Sequence, residues 1–171
     1  MKKPCVLIVT HRGHLSEKVK SHGLNVAKRL DLRLLVAYIN TMPLLSDGGS
    51  RHRSFNEAAR QDSMELQRDA VMYGVSVNSV QDSGKISKVV SRLCRMLNNL
   101  EFIIADSGVK AHSVALSSTV PVFTVCDNTL KRQLRGPGQL ETDRIPALAC
   151  KLREPEDTPD KELEDRDKYS S

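Results

Sequence analysis

The amino-acid sequence predicts an α/β protein built on a doubly wound parallel sheet of five strands. Two observations support this prediction: short continuous apolar runs recur along the chain, and amphipathic helical stripes separate them. A strand buried on both faces is apolar throughout, whereas a surface helix is apolar on one stripe only. Strands that alternate with helices pair in parallel through right-handed crossovers, which gives three layers with the sheet in the middle.

The first half of the chain is predicted to run strand, helix, strand, helix, strand. These elements cover residues 5–10, 16–30, 33–39, 54–73 and 75–80. Ser16 is placed to cap the first helix, and Gly74 is placed to end the second. The segment over residues 41–53 contains Pro43 and two consecutive glycines, so we expect a loop there.

The second half repeats the alternation with shorter elements. A helix over residues 86–100, a strand over 102–105, a short helix over 111–118 and a strand from Val120 to Val125 complete residues 1–126, the predicted domain. The pattern weakens after this strand, so residues 127–152 are interpreted as a C-terminal appendage, with one or two helical turns over 128–134. Residues 153–171 contain two prolines and dense charge, so we expect them to be disordered.

Composition favours a cytoplasmic protein without a membrane segment. No apolar stretch among the 171 residues approaches the roughly 20 needed to span a bilayer, and no signal peptide is evident at the first residues. The four cysteines form no CxxC pair and are expected to be free thiols, three of them buried in apolar segments. Aromatic residues are only 4% of the chain, which argues against binding of single-stranded nucleic acid.

Charge is distributed unevenly along the chain. The net charge is +5, but residues 151–171 contain five basic and eight acidic residues, so the first 150 residues carry a net +8. We expect most of this charge to be solvated. The C-terminal segment, which includes the basic residues 131–135, is the predicted docking region for an unidentified protein partner.

Several stretches of the chain resemble the universal stress protein family, over about three quarters of its length. Val6 to Thr10, followed by His11-Arg12-Gly13-His14-Leu15-Ser16-Glu17-Lys18, is similar to the family's first strand, turn and helix start. Residues 68–75 resemble the end of its second helix, and residues 84–105 with 120–125 resemble its last elements. The resemblance implies the adenine-nucleotide α-hydrolase-like fold and a role in the stress response.

A ligand crevice is expected at the carboxyl ends of the strands. The candidate crevice residues are Thr10, His11, Ile39, Asp106, Ser107 and Gly108. ATP-binding family members carry an acidic residue after strand one and a glycine-rich stretch after strand four, where backbone amides approach phosphates. This chain has His11 at the first place and one glycine, Gly108, at the second, and Asp106 would put a negative charge near the phosphates. The resemblance therefore implies that tight ATP binding has been lost and that no cofactor is held.

The favoured function is a non-catalytic regulatory protein of the universal stress class that acts through dimerisation and partner binding. The strand from Val120 to Val125 is expected at a sheet edge, where it would pair with the same strand of a second copy. No catalytic or metal-binding constellation is recognised.

Two alternative functions stay open. One is a nucleotide-binding switch that takes ATP or AMP weakly in the crevice. The other is a nucleotidylyl transferase, because His11-Arg12-Gly13-His14 and Lys85-Ile86-Ser87-Lys88 have the form of motifs that stabilise ATP phosphates in such enzymes. The transferase hypothesis requires Lys85 to approach the turn that carries His11.

Overall fold

A computed structural model describes residues 3–43, 49–126 and 129–133. The elements in these residues are β1 (Cys5–Thr10), α1 (Glu17–Arg29), β2 (Arg33–Asn40), α2 (Ser50–Tyr73), β3 (Val77–Ser83), α3 (Ile86–Met96), β4 (Leu100–Ala105), α4 (Ala111–Ser117), β5 (Val122–Cys126) and β6 (Thr129–Arg132). The strands form one sheet in the order β3-β2-β1-β4-β5-β6, parallel except between β5 and β6. The predicted α/β class with a doubly wound sheet is confirmed, with six strands rather than five.

The sheet separates two hydrophobic layers. One layer packs α1 and α2 against the sheet and includes Ile8 and Leu66, both without exposed surface. The other packs α3 and α4 against the opposite face and includes Leu7 and Val114, which are equally buried. Every residue of β1 is buried, as expected for a central strand whose side chains alternate between two covered faces.

The sixth strand corrects two predictions. The helical turn predicted over residues 128–134 is wrong, because Thr129–Arg132 pairs antiparallel with β5, with Cys126 opposite Thr129 and Phe123 opposite Arg132. Pairing satisfies the backbone groups along the outer side of β5, which local sequence preference alone does not register. β5 is therefore not an edge strand, and its predicted pairing with a second copy would require β6 to leave. Thr129–Arg132 thus lies in the same sheet as the strands of the predicted domain, and the predictions for residues 134–171 lie outside the described residues.

The largest differences from the predicted boundaries are in α2, β3 and α3. α2 begins at Ser50 instead of residue 54, directly after Gly49, whose φ of 84° is a conformation that glycine adopts without strain. β3 covers Val77–Ser83 because its pairing with β2 continues to the end of that strand. α3 ends at Met96, four residues earlier than predicted. Gly74 ends α2 in the left-handed conformation, as predicted.

No helix in the described part of the chain is both long enough and apolar enough to cross a bilayer.

Candidate functional site

The carboxyl ends of β1, β2, β3 and β4 border one cleft with a volume of about 740 Å³. β1 and β4 are neighbours whose connections leave in opposite directions along the sheet, which is the position where doubly wound folds bind ligands. β1 contributes His11, the segment after β2 contributes residues 41–43, and the turn into α3 contributes residues 83–87. Gly108 and Lys110 line the cleft from the connection between β4 and α4.

The cleft combines positive charge with apolar surface. Lys85 and Lys110 enter it from two different connections, and no Asp or Glu is among its described lining residues. Met42 and Ile86 add apolar surface. The first turn of α3, which borders the cleft, has backbone N–H groups without partners inside the helix. This surface suits a ligand that joins a flat apolar group to an anionic group.

His11 and Gly108 contact each other at the cleft surface. A Cβ atom added to Gly108 would lie 3.0 Å from His11 Cε1 and 3.3 Å from Arg12 Nη2, and the φ of Gly108 is 84°. Only glycine fits this position without strain. The Nδ1 atom of His11 is buried and has no hydrogen-bond partner in the described part of the chain.

Thr10 and Asp106 are buried and hold the turn between β1 and α1. Thr10 Oγ1 accepts a hydrogen bond from the Arg12 amide at 3.3 Å and donates one to the His14 carbonyl at 3.4 Å. Asp106, only 2% exposed, accepts hydrogen bonds from the Ser16 hydroxyl at 2.5 Å, the Ser16 amide at 3.3 Å and the Ser107 amide at 2.7 Å. The carboxylate of Asp106 is therefore bound to the start of α1 and does not line the cleft.

A second buried carboxylate, Asp62 of α2, holds the same turn from the other side. It accepts hydrogen bonds from the Tyr38 hydroxyl at 2.7 Å and the Leu15 amide at 3.0 Å, and the ammonium group of Lys20 lies 3.4 Å away. Burial raises the pKa of Tyr38, and the hydrogen bond to Asp62 raises it further. This cluster joins α1, α2 and β2 within the layer opposite α3, so its role is structural.

The structure places the six predicted crevice residues in different environments. His11 and Gly108 line the cleft, and Ser107 is exposed outside it. Thr10, Ile39 and Asp106 are almost completely buried and absent from the lining. Asp106 therefore does not line the cleft, contrary to the sequence interpretation, because its buried carboxylate accepts hydrogen bonds from the Ser16 hydroxyl and from two backbone amides.

The residues that sequence reasoning missed follow β2 and β3. They are Thr41, Met42, Pro43, Ser83, Gly84, Ile86 and Ser87, together with Lys110 and Ser113 at the start of α4. Lys85 was considered only as part of a transferase motif. Ligands in such folds bind at the carboxyl ends of the parallel strands. Most of these residues would have been predicted if this rule had been applied to β3 as well as to β1 and β4.

The transferase motifs are only partly brought together. His11 and Lys85 line the same cleft. His14 and Lys88, the second members of each motif, are exposed and do not line it. The arrangement thus lacks the paired histidines and paired lysines that would surround a triphosphate.

Searches for related proteins find likeness at the level of structure. No family model and no curated protein matches the sequence. A universal stress protein family structure from Burkholderia pseudomallei matches with a TM-score of 0.60 and 16% identity, over 72% of this chain and 96% of that one. The universal stress protein of Archaeoglobus fulgidus in complex with dAMP matches with 0.58 and 10% identity, over 77% and 100%. A universal stress protein in complex with cAMP matches with 0.53 and 12% identity, over 74% and 99%.

These likenesses establish the fold of the chain. It is the fold of the universal stress proteins, as the sequence resemblance implies, and the solved structures are covered almost completely by residues of this chain.

The described residues contain no group of three or more His, Cys, Asp or Glu side chains suited to a metal ion.

Proposed function

We propose that this protein is a non-catalytic regulatory protein of the universal stress class whose cleft binds a nucleoside monophosphate in preference to ATP. The observation that supports the proposal is a cleft of about 740 Å³, at the carboxyl ends of the strands, with two lysines and no carboxylate among its described lining residues. This volume lies within the range of small-molecule sites, about 300–1,000 Å³. Solved structures of the same fold hold dAMP and cAMP.

The base and the phosphate would occupy different parts of the cleft. Met42 and Ile86 offer the apolar surface on which a purine packs. Lys85 and Lys110 offer ammonium groups for the phosphate, to which charge-assisted hydrogen bonds form. Gly108 leaves room for the His11 ring at the cleft surface, because a Cβ atom there would lie 3.0 Å from His11 Cε1.

The preference for a monophosphate rests on the short connection between β4 and α4. It contains residues 106–110, of which only Gly108 is a glycine, and α4 has seven residues. Backbone amides surround a phosphate chain most closely where glycines are frequent. A triphosphate would extend beyond this connection without amide partners, so we retain the proposal that tight ATP binding has been lost.

Calorimetric titration with AMP and ATP tests the proposal. We expect AMP to bind, ATP to bind no more tightly, and Lys85→Ala or Lys110→Ala to weaken AMP binding about tenfold or more, as for loss of a hydrogen bond to a charged group. Lys88→Ala is the matched control, because Lys88 is exposed in the first turn of α3, which begins directly after Lys85, but lies outside the cleft. Absence of heat with every nucleotide at about millimolar concentration, or ATP binding tighter than AMP, would contradict the proposal.

In this proposal the protein exerts its regulatory effect by binding a second copy of itself or another protein. Dimerisation and partner binding remain part of the proposal, although β6 occupies the side of β5 first expected to form the dimer. Sedimentation analysis with and without AMP tests the dimer, and a strict monomer under both conditions would remove this part.

A further inference from the structure

Asn40, the last residue of β2, connects two walls of the cleft with α2 through its buried side chain and its main-chain carbonyl. The residue is 1% exposed. Its Oδ1 accepts a hydrogen bond from the Met42 amide at 3.0 Å, and its main-chain oxygen accepts one from the Gly84 amide at 2.8 Å. Its Nδ2 lies 2.9 Å from Nδ1 of His52 in the first turn of α2. Both Met42 and Gly84 line the cleft.

These contacts fix the protonation state that His52 must have. Because Oδ1 of Asn40 already accepts from a backbone amide, the atom that faces His52 is the NH₂ nitrogen, which can only donate. His52 Nδ1 must then accept, so its proton resides on Nε2 and the ring is neutral. Protonation of Nδ1 would place one donor against another. Rotating the Asn40 amide would not resolve the conflict, because its NH₂ group would then face the Met42 N–H.

We propose that His52 is a positioning residue that makes ligand binding in the cleft dependent on pH. Neutral His52 anchors Asn40 and, through it, the wall formed by residues 41–43; protonated His52 releases that wall. The effect on ligand rests on the proposed nucleotide-binding function, whereas the hydrogen bond itself does not. The anchored wall is therefore present while His52 is neutral and is lost when its Nδ1 atom binds a proton at lower pH.

The charged residues that line the cleft, and those that flank His52 in the described part of α2, are cationic. Arg51 and Arg53 flank His52 in α2, and His11, Lys85 and Lys110 line the cleft beside the wall. Protonation of His11 would add positive charge and favour an anionic ligand at low pH. This contribution has the opposite sign to that of His52, so the two are separable by substitution.

The first experiment measures the tautomer of His52 in the full chain without ligand. Two-bond ¹H–¹⁵N correlation spectra at about pH 7.5 are expected to show an unprotonated Nδ1 and a protonated Nε2. A proton on Nδ1 would overturn the proposal. Because no nucleotide is present, the result is independent of whether the cleft binds one.

The second experiment measures AMP affinity at about pH 7.5 and about pH 5.5 in the wild type and in His52→Asn. Asparagine places an oxygen near the position of Nδ1 that accepts at both pH values. We expect AMP binding to be about tenfold weaker at the lower pH in the wild type than in His52→Asn, with both similar at the higher pH. His14→Asn is the control and is expected to behave as the wild type, because His14 is exposed and outside the cleft.

A third variant, Asn40→Asp, should remove the dependence, because its carboxylate accepts from the Met42 amide and from Nδ1–H of His52, whether the ring is neutral or protonated. Equal pH dependence in the wild type and His52→Asn would overturn the proposal. If AMP fails to bind any variant at either pH, the proposed function fails, and the tautomer measurement still decides whether His52 holds Asn40.

Discussion

Removal of the Asp62 carboxylate, by Asp62→Ala, should destabilise the protein strongly. The substitution leaves three buried donors without their acceptor: the Tyr38 hydroxyl, the Leu15 amide and the ammonium group of Lys20. Removing one partner of a buried ion pair costs about 3–5 kcal/mol, and each neutral donor left unsatisfied costs about 1–3 kcal/mol. Lys20 keeps a contact of 3.2 Å with the exposed Glu17, which offsets part of the loss. We therefore expect the free energy of unfolding to fall by at least about 3–5 kcal/mol.

Urea-induced unfolding followed by circular dichroism measures this change. Glu57→Ala is the matched control, because Glu57 is exposed on the same helix, and it should change the free energy of unfolding by no more than about 0.5 kcal/mol. The double substitution Asp62→Ala with Lys20→Met should recover part of the loss, since it removes the uncompensated charge. A loss below about 1 kcal/mol for Asp62→Ala, or no recovery in the double variant, would refute the reasoning.

Three further outcomes are expected. Burial and the hydrogen bond to Asp62 raise the pKa of Tyr38, so the folded state keeps a proton that the unfolded state loses above about pH 10. The free energy of unfolding, measured by urea titration at alkaline pH, should therefore fall above that pH, and it should fall less in Tyr38→Phe. Cys5 is 2% exposed and burial raises the pKa of its thiol, so iodoacetamide should label it more slowly than the half-buried Cys126, as measured by peptide mapping; equal rates would contradict this. Gly108→Ala should lower the free energy of unfolding by about 1–2 kcal/mol and weaken AMP binding, since its φ of 84° and its contact with the His11 ring disfavour a side chain; an unchanged urea midpoint would contradict this.

The strands that the sequence predicted well are those whose own side chains reveal their environment. β1 is apolar at nearly every position because both of its faces are covered, so its pattern needs no knowledge of the partner strands. β6 is the opposite case. Thr129–Arg132 is mostly polar and exposed, and it becomes a strand only because β5 offers unpaired backbone groups beside it. That information is tertiary and is absent from the local sequence.

The site was predicted in outline but not in its lining. His11 and Gly108 follow from the rule that ligands bind at the carboxyl ends of parallel strands. The same rule placed Asp106 in the crevice, but the side chain of a residue at a strand end can turn to either side of the sheet. The carboxylate of Asp106 turns towards Ser16 and accepts a hydrogen bond from its hydroxyl group. Lys110 was missed because its contribution depends on how the β4–α4 connection folds back on the cleft.

Two-dimensional ¹H–¹⁵N spectra recorded during addition of AMP test the central claim most directly. The account predicts that the amide signals of Met42, Gly84, Ser87, Gly108 and Lys110 shift together and saturate at one affinity, because these residues surround the cleft. Signals near Asp62, in the opposite layer, should stay unchanged. Shifts confined to other surfaces, or no shift at any of these five residues, would contradict the account.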